Sequence, residues 1–217
     1  AGGSAPTPEP KFPLVALLVS GGHTELILMR EHLTYQRLGG TVDDAAGEAF
    51  DKVARLLDLP YPGGPSIQKA AQEGSPRAFN FPKARLSEPF NFSFSGVKTA
   101  VLRTVQDLRA QGKTLPIGDL AASFQAAVVS ALYEKTMDAA RQFGAQDIIV
   151  AGGVSANKAL REAFRSQTQF KVHIPHISLC TDNAAMIAAA GYQHLARGER
   201  DNLDFDVLPT WYLTALV

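Results

Sequence analysis

Ser20-Gly21-Gly22-His23-Thr24 is the first stretch whose residue types could do chemistry. Adjacent glycines reach backbone conformations closed to other residues, so successive N–H groups can converge on one anion. Ser20 and Thr24 add hydroxyls. A plain hairpin turn explains the same letters. Ala151-Gly152-Gly153-Val154-Ser155-Ala156-Asn157 is the second stretch. A strand end, two glycines and a helix start mark the place where α/β proteins hold phosphates and nucleosides. Asn157, in the first helical turn, could reach a base or ribose. A tight strand-to-helix turn capped by Ser155 fits equally well. No Gly-Lys-Ser/Thr follows, so this is not a P-loop.

Asp44, Gly47, Glu48 and Asp51 fall on one stripe of a helix expected from Asp43. Such a stripe could face a ligand, a metal or polar hydroxyls, with Gly47 permitting close backbone approach. A solvated face with Asp51 paired to Arg55 at i+4 accounts for it as well. Asp182 is expected in the first turn of the last helix, where the dipole stabilises a carboxylate; a metal-ligand role is the sharper alternative. His173 and His176 are read as structural, because Pro175 separates them and no H-E-x-x-H occurs. Lys158, Arg161 and Arg165 along one helix flank, and the alternating Phe90, Phe92 and Phe94, could meet RNA. A solvated basic face and a half-buried extended segment explain both without RNA.

The elements that must carry these residues follow from hydrophobic periodicity. Residues 13–20 and 23–30 read as two strands joined by the Gly-Gly turn, with 33–38 as a third. A helix runs from Asp43 to about Leu59, stopped by Pro60, Pro62 and Gly63-Gly64. Short helical signals at 66–74 and 96–111 precede a long apolar helix over 117–143. Then come a strand at 147–153, a helix at 155–165 with Ser155 as cap, a strand at 171–175 and a helix at 181–197. The AAMIAAAG centre of that last helix is small enough for close helix packing. Strands alternating with helices imply parallel pairing. A meander followed by αβαβα describes an α/β, ribonuclease-H-like lobe, the repeated core of actin-like ATPases.

Composition restricts the function classes. The 217 residues carry 21 Lys+Arg against 21 Asp+Glu, so binding nucleic acid by bulk charge is disfavoured. A hydrophobic share of 46% is that of a folded chain. Cys180, the single cysteine, excludes an internal disulfide and a four-cysteine zinc site. No apolar run approaches the ~18 residues of a membrane span. Residues 1–12, rich in Pro and small residues, read as a linker or the remainder of a preceding segment.

Taken together and in order, LVSGGHTEL, DDAAGEAFDK, YPGGP, FSFSGVKT, AGGVSANKALR and CTDNAAMIA are far more specific than any one of them. Over about Phe12 to Gly198 the chain resembles the bacterial-type tRNA N6-adenosine threonylcarbamoyltransferase family, whose members were formerly called O-sialoglycoprotein endopeptidases. The resemblance implies an actin-like ATPase fold, with residues 13–198 as one lobe holding a helical insertion at about 61–143, and 199–217 as a tail. It implies transfer of a threonylcarbamoyl group from its AMP mixed anhydride to N6 of the adenosine beside the anticodon. The family's ligand-binding positions match Leu18, Val19, Ser20, Gly21, Gly22, Asp51, Gly64 and Asn157, and its metal-binding aspartate matches Asp182. No catalytic general base is assigned by it. One divalent metal, iron or zinc, and an adenine nucleotide are the implied cofactor and ligand. Implied partners are tRNA, an actin-like subunit and a small ATPase, with a homodimer as a further option, no membrane, and the cytoplasm as compartment.

The resemblance also implies an N-terminal lobe of about a hundred residues, with two histidines that complete the metal site and another phosphate loop. Its counterpart is not among these 217 residues, so the chain by itself is expected to be inactive. The alternatives are a metal-dependent glycoprotein endopeptidase, which needs a complete metal site and a base, and a non-catalytic nucleotide-binding scaffold subunit.

Overall fold

A computed structural model describes residues 9–204 and 206. Strands β1 (Leu14–Val19), β2 (Thr24–Glu31) and β3 (Thr34–Gly40) form an antiparallel meander. Strand β4 (Asp147–Ala151) lies parallel to β1, and β5 (Lys171–His173) lies parallel to β4. The sheet order is β3-β2-β1-β4-β5. Helices α1 (Ala46–Leu56), α2 (Gly63–Ala70), α3 (Ser95–Ala110) and α4 (Ile117–Gln142) lie between β3 and β4 in the chain. Helix α5 (Lys158–Ser166) links β4 to β5, and α6 (Ala184–Ala196) follows β5.

Alternation along β1 divides the sheet's two faces. Val15, Leu17 and Val19 join the main core with Phe50, Val53, Phe124 and Leu132 from α1 and α4. Leu14 and Ala16 face the other way and meet Ile27 in a small second cluster. The far ends of β4 and β5 are tied by Asp147, whose Oδ2 lies 2.6 Å from His173 Nε2 and accepts from the Lys11 N–H at 3.0 Å. Burial alone would raise the Asp147 pKa; the His173 and Lys11 bonds outweigh it and hold the carboxyl below its usual range.

Several expectations are corrected. Helix α1 begins at Ala46 rather than Asp43, because Ala45 is extended and the buried Thr24 hydroxyl accepts the Ala46 N–H at 2.9 Å. Asp44 therefore lies outside the helix and off the stripe. It takes Lys52 at 2.6 Å and Lys98 at 2.5 Å, which hold its pKa down against the opposing effect of burial. Phe90, Phe92 and Phe94 are buried in the main core, and Phe92 and Phe94 stack on each other, so they offer no face to RNA. The polar residues between them bind the end of β3 and the loop after it instead: Asn91 accepts from Gly40, and Ser93 donates to Asp43. Arg161 is buried, which breaks the expected basic flank. Helix α6 starts at Ala184, with Asn183 as its cap, so Asp182 precedes the helix rather than sitting in its first turn. No α6 residue is buried against the described residues, so the expected close packing is not made there. The residue 1–8 part of the expected linker, and residues 205 and 207–217 of the tail, lie outside the described residues.

Candidate functional site

Three backbone approaches shape the site, and each needs a residue without a Cβ. Gly47 N–H donates to Ser20 O at 3.1 Å, and a Cβ on Gly47 would come within 2.7 Å of that oxygen. The first turn of α1 can thus lie against the β1–β2 turn, the close backbone approach that Gly47 suggested. Gly152 has φ +98°, and a Cβ there would meet Val19 O at 2.4 Å. A Cβ on Gly63 would meet Asp51 Cα at 2.5 Å. By contrast, Gly21, Gly22, Gly64 and Gly153 have nothing within 4 Å of a built Cβ and no positive φ. Neither their own backbone nor their own neighbours require glycine, and all four line clefts.

The β1–β2 turn is partly self-satisfied. Ser20 Oγ accepts from Gly22 N–H at 3.3 Å and His23 N–H at 3.0 Å, and Ser20 N–H donates to His23 O. Thr24 is committed to α1. The hydroxyls expected to serve a ligand are thus structural, and Gly21 itself lines both clefts. Leu18 and Val19 contribute backbone only, since their side chains pack on opposite faces of the sheet.

Two adjoining clefts meet at Gly21 and Gly153. The smaller, of about 400 Å³, gathers Asp51 from α1, Gly64 and Gln68 from α2, and Asn157 and Lys158 from the start of α5. Asp51 makes no ion pair with Arg55. Its Oδ1 accepts the Gly63 N–H at 2.7 Å, which turns the carboxylate toward the cleft. Asn157, not Ser155, caps α5: its Oδ1 accepts from Leu160 N–H at 3.0 Å, and its Nδ2 donates to Gln125 at 2.8 Å. Ser155 is buried and donates to Cys180. The capping and amide bonds fix Asn157 as a rigid wall residue.

Gln68 and Lys158 were not singled out as ligand groups by sequence reasoning. Gln68 stands four residues after Gly64, hence on the same helix face, and its Oε1 accepts the Lys158 N–H at 2.7 Å. Gly47 and Asp51 have the same i,i+4 relation. That spacing was the available signal.

The larger cleft, of about 1290 Å³, brings the Ser20–Gly22 turn opposite Asp182 and the start of α6. Asp182 is exposed. His173 is held by Asp147, and His176 Nδ1 lies 2.9 Å from Ser178 Oγ. Among the described residues no three His, Cys, Asp or Glu side chains are gathered to hold a metal ion. These residues alone do not fit a metal centre.

The model for tRNA N6-adenosine threonylcarbamoyltransferase (TsaD) matches residues 2–189. The chain belongs to that family. It is 54% identical to the Thermomicrobium roseum tRNA N6-adenosine threonylcarbamoyltransferase, over 94% of this chain and 61% of that one. It is 54% identical to the Synechococcus sp. transferase, over 90% of this chain and 54% of that one. The chain thus spans a little over half to three-fifths of the length of these relatives. Among solved structures, full-length HypF in the phosphate- and nucleotide-bound form superposes with a TM-score of 0.61 at 13% identity, over 84% of this chain and 33% of that one. HypF from T. kodakarensis gives 0.55 at 18% identity, over 71% and 20%. These likenesses bear on the fold, which is the ribonuclease-H-like, actin-like ATPase arrangement. Among the described residues of this threonylcarbamoyltransferase family member, no helix is long and apolar enough to cross a membrane.

Proposed function

We propose that this chain supplies the nucleotide-holding half of a threonylcarbamoyl transfer site. The ligand is threonylcarbamoyl-AMP and the acceptor is N6 of the adenosine beside the anticodon, in tRNAs that read codons beginning with A. One observation carries the reading. Asp51, Gly64 and Asn157, from three different helices or their caps, converge with Gly21 on one cleft.

Each residue then has a role set by its geometry. Asp51 has one oxygen bound to Gly63 and the other free to accept from ribose hydroxyls. Gly64, with no Cβ and open space above it, lets the sugar or base approach the α2 backbone. Asn157 and the Gly153–Ala156 turn wall the nucleoside. The Gly21 N–H stabilises negative charge on the anhydride oxygens. In the reaction the N6 amine attacks the carbamoyl carbon, the new C–N bond forms, the bond to the AMP oxygen breaks, and N6 loses its proton. N6 attacks directly and no protein nucleophile intervenes, so holding the two reactants in line contributes most.

Asp182 is proposed as one carboxylate toward the family's metal, iron or zinc, with further donors from outside these 217 residues. The proposed partners are tRNA, an actin-like subunit and a small ATPase, and the proposed compartment is the cytoplasm. The test is formation of threonylcarbamoyladenosine on unmodified tRNA, read by nucleoside mass spectrometry with the partner proteins supplied. Product is expected from a version extended to the length of its relatives and not from these 217 residues alone. Product from neither would overturn the reading.

A further inference from the structure

Arg161 is 7% exposed. A buried guanidinium ordinarily faces a carboxylate, since an unanswered buried charge is costly. Here the partners are different. Arg161 Nε donates to Ser155 O at 2.7 Å, and Nη2 donates to Pro175 O at 2.7 Å and to Cys180 Sγ at 3.1 Å. Ser155 Oγ also donates to Cys180 Sγ, at 3.2 Å, and Cys180 is 4% exposed. One planar fork therefore grips two irregular segments that share no strand pairing. The first is the Gly153–Ala156 turn, a wall of the smaller cleft. The second is the 175–182 segment, which carries Asp182 into the larger one.

We propose that Arg161 is a positioning residue that sets these two segments in register, so that the nucleoside wall and Asp182 face the shared boundary at Gly21 and Gly153 as one site. The fork matters more than the charge. A lysine keeps the charge but cannot reach two carbonyls in different directions from a single planar group. The exchange arm of the test below stands by itself; only the choice of ADP as probe rests on the proposed function.

The test compares the wild-type chain with Arg161→Lys and Cys180→Ala. Amide hydrogen exchange is followed by mass spectrometry, and ADP is titrated by calorimetry. In Arg161→Lys, exchange over 176–183 is expected to quicken about tenfold or more, the scale of one lost hydrogen bond to a charged group. Exchange in β1 and β4 stays as in the wild type, and ADP affinity falls by a similar factor. Wild-type exchange and affinity in Arg161→Lys would overturn the proposal, because charge alone would then suffice. Faster exchange spread evenly over the chain would also overturn it, as a purely structural role gives. Should Arg161→Lys fail to fold, Cys180→Ala decides, because it removes the sulfur and leaves both carbonyl contacts. Wild-type exchange over 176–183 in Cys180→Ala supports the clamp, because the two carbonyl contacts then suffice, and a tenfold quickening there overturns it, because the sulfur rather than the fork then holds the segment. A wild-type chain that binds no ADP would sink the nucleotide reading while the exchange arm still tests the clamp.

Discussion

The two clefts share a boundary, yet their outer walls are built in opposite ways. Helix α1 has eleven residues, and six of them are buried, including Phe50 and Val53 in the main core. It also touches the β1–β2 turn through Gly47 backbone. Helix α6 is longer and richer in small apolar residues, yet none of its residues is buried by the described part of the chain. Ile187 is 66% exposed and Tyr192 65%. An amphipathic helix gains its stability from the face it buries. On that ground α1 holds its proposed ligand residue, Asp51, by its own packing. Asp182, just ahead of α6, depends on the Asn183 cap and on the contacts of the 175–180 segment. The proposed nucleotide half of the site is thus preorganised, and the Asp182 half is only tethered.

The difference can be broken most forcefully at Gly152. A side chain there would have to adopt φ +98° and displace Val19 O, so Gly152→Ala is expected to cost about 3 kcal/mol. Gly22→Ala meets open space and is expected to stay within about 0.5 kcal/mol. Thermal melts of the two variants give the contrast directly, and equal melting temperatures would contradict it.

Next in size is Asp51→Asn, which keeps an acceptor for the Gly63 N–H but removes the charge. The expected outcome is an unchanged melt and a nucleotide affinity about tenfold weaker, because bonds to a charged acceptor are the stronger ones. A smaller effect is expected from acid. Asp44 and Asp147 both have folded pKa values below their unfolded ones. Their contribution is present above the unfolded carboxylate value of about 4 and is lost as the pH falls through the lower folded values. Denaturant midpoints taken from pH 7 down to pH 3 should therefore fall below about pH 4, less steeply in Asp147→Asn. The smallest effect belongs to α6. Ile187→Ser is expected to change stability by less than about 0.5 kcal/mol in this chain. A larger loss there would mean that α6 is packed after all.

The sheet and most helices were legible because each has a clean pattern: a short apolar run at β1, alternation along β2, and the 3.6-residue spacing of Phe50, Val53 and Leu57. The candidate site was legible mainly through its glycines and through the order of its motifs. Spacing misread the details where a distant residue takes over a local role. Thr24 supplies the hydrogen bond that starts α1, so Asp44 fell off the expected stripe. Asn157 displaced Ser155 as the cap, because Ser155 is drawn inward to Cys180. Arg161 looked like a surface cation beside Lys158 and Arg165, and its burial depends on carbonyls six and fourteen residues away. The phenylalanine row alternates like a strand, but all three rings turn to the core while Asn91 and Ser93 bind the end of β3 and the loop after it.

The central claim is that the smaller cleft receives the nucleotide, and amide NMR tests it most directly. AMP titrated into the isotopically labelled chain should shift the amides of Gly21, Gly64, Gly153 and Lys158, and leave those beside the groove of Lys83, Glu134 and Asp138 unmoved. Shifts confined to that groove, or no shifts at millimolar AMP, would contradict the account.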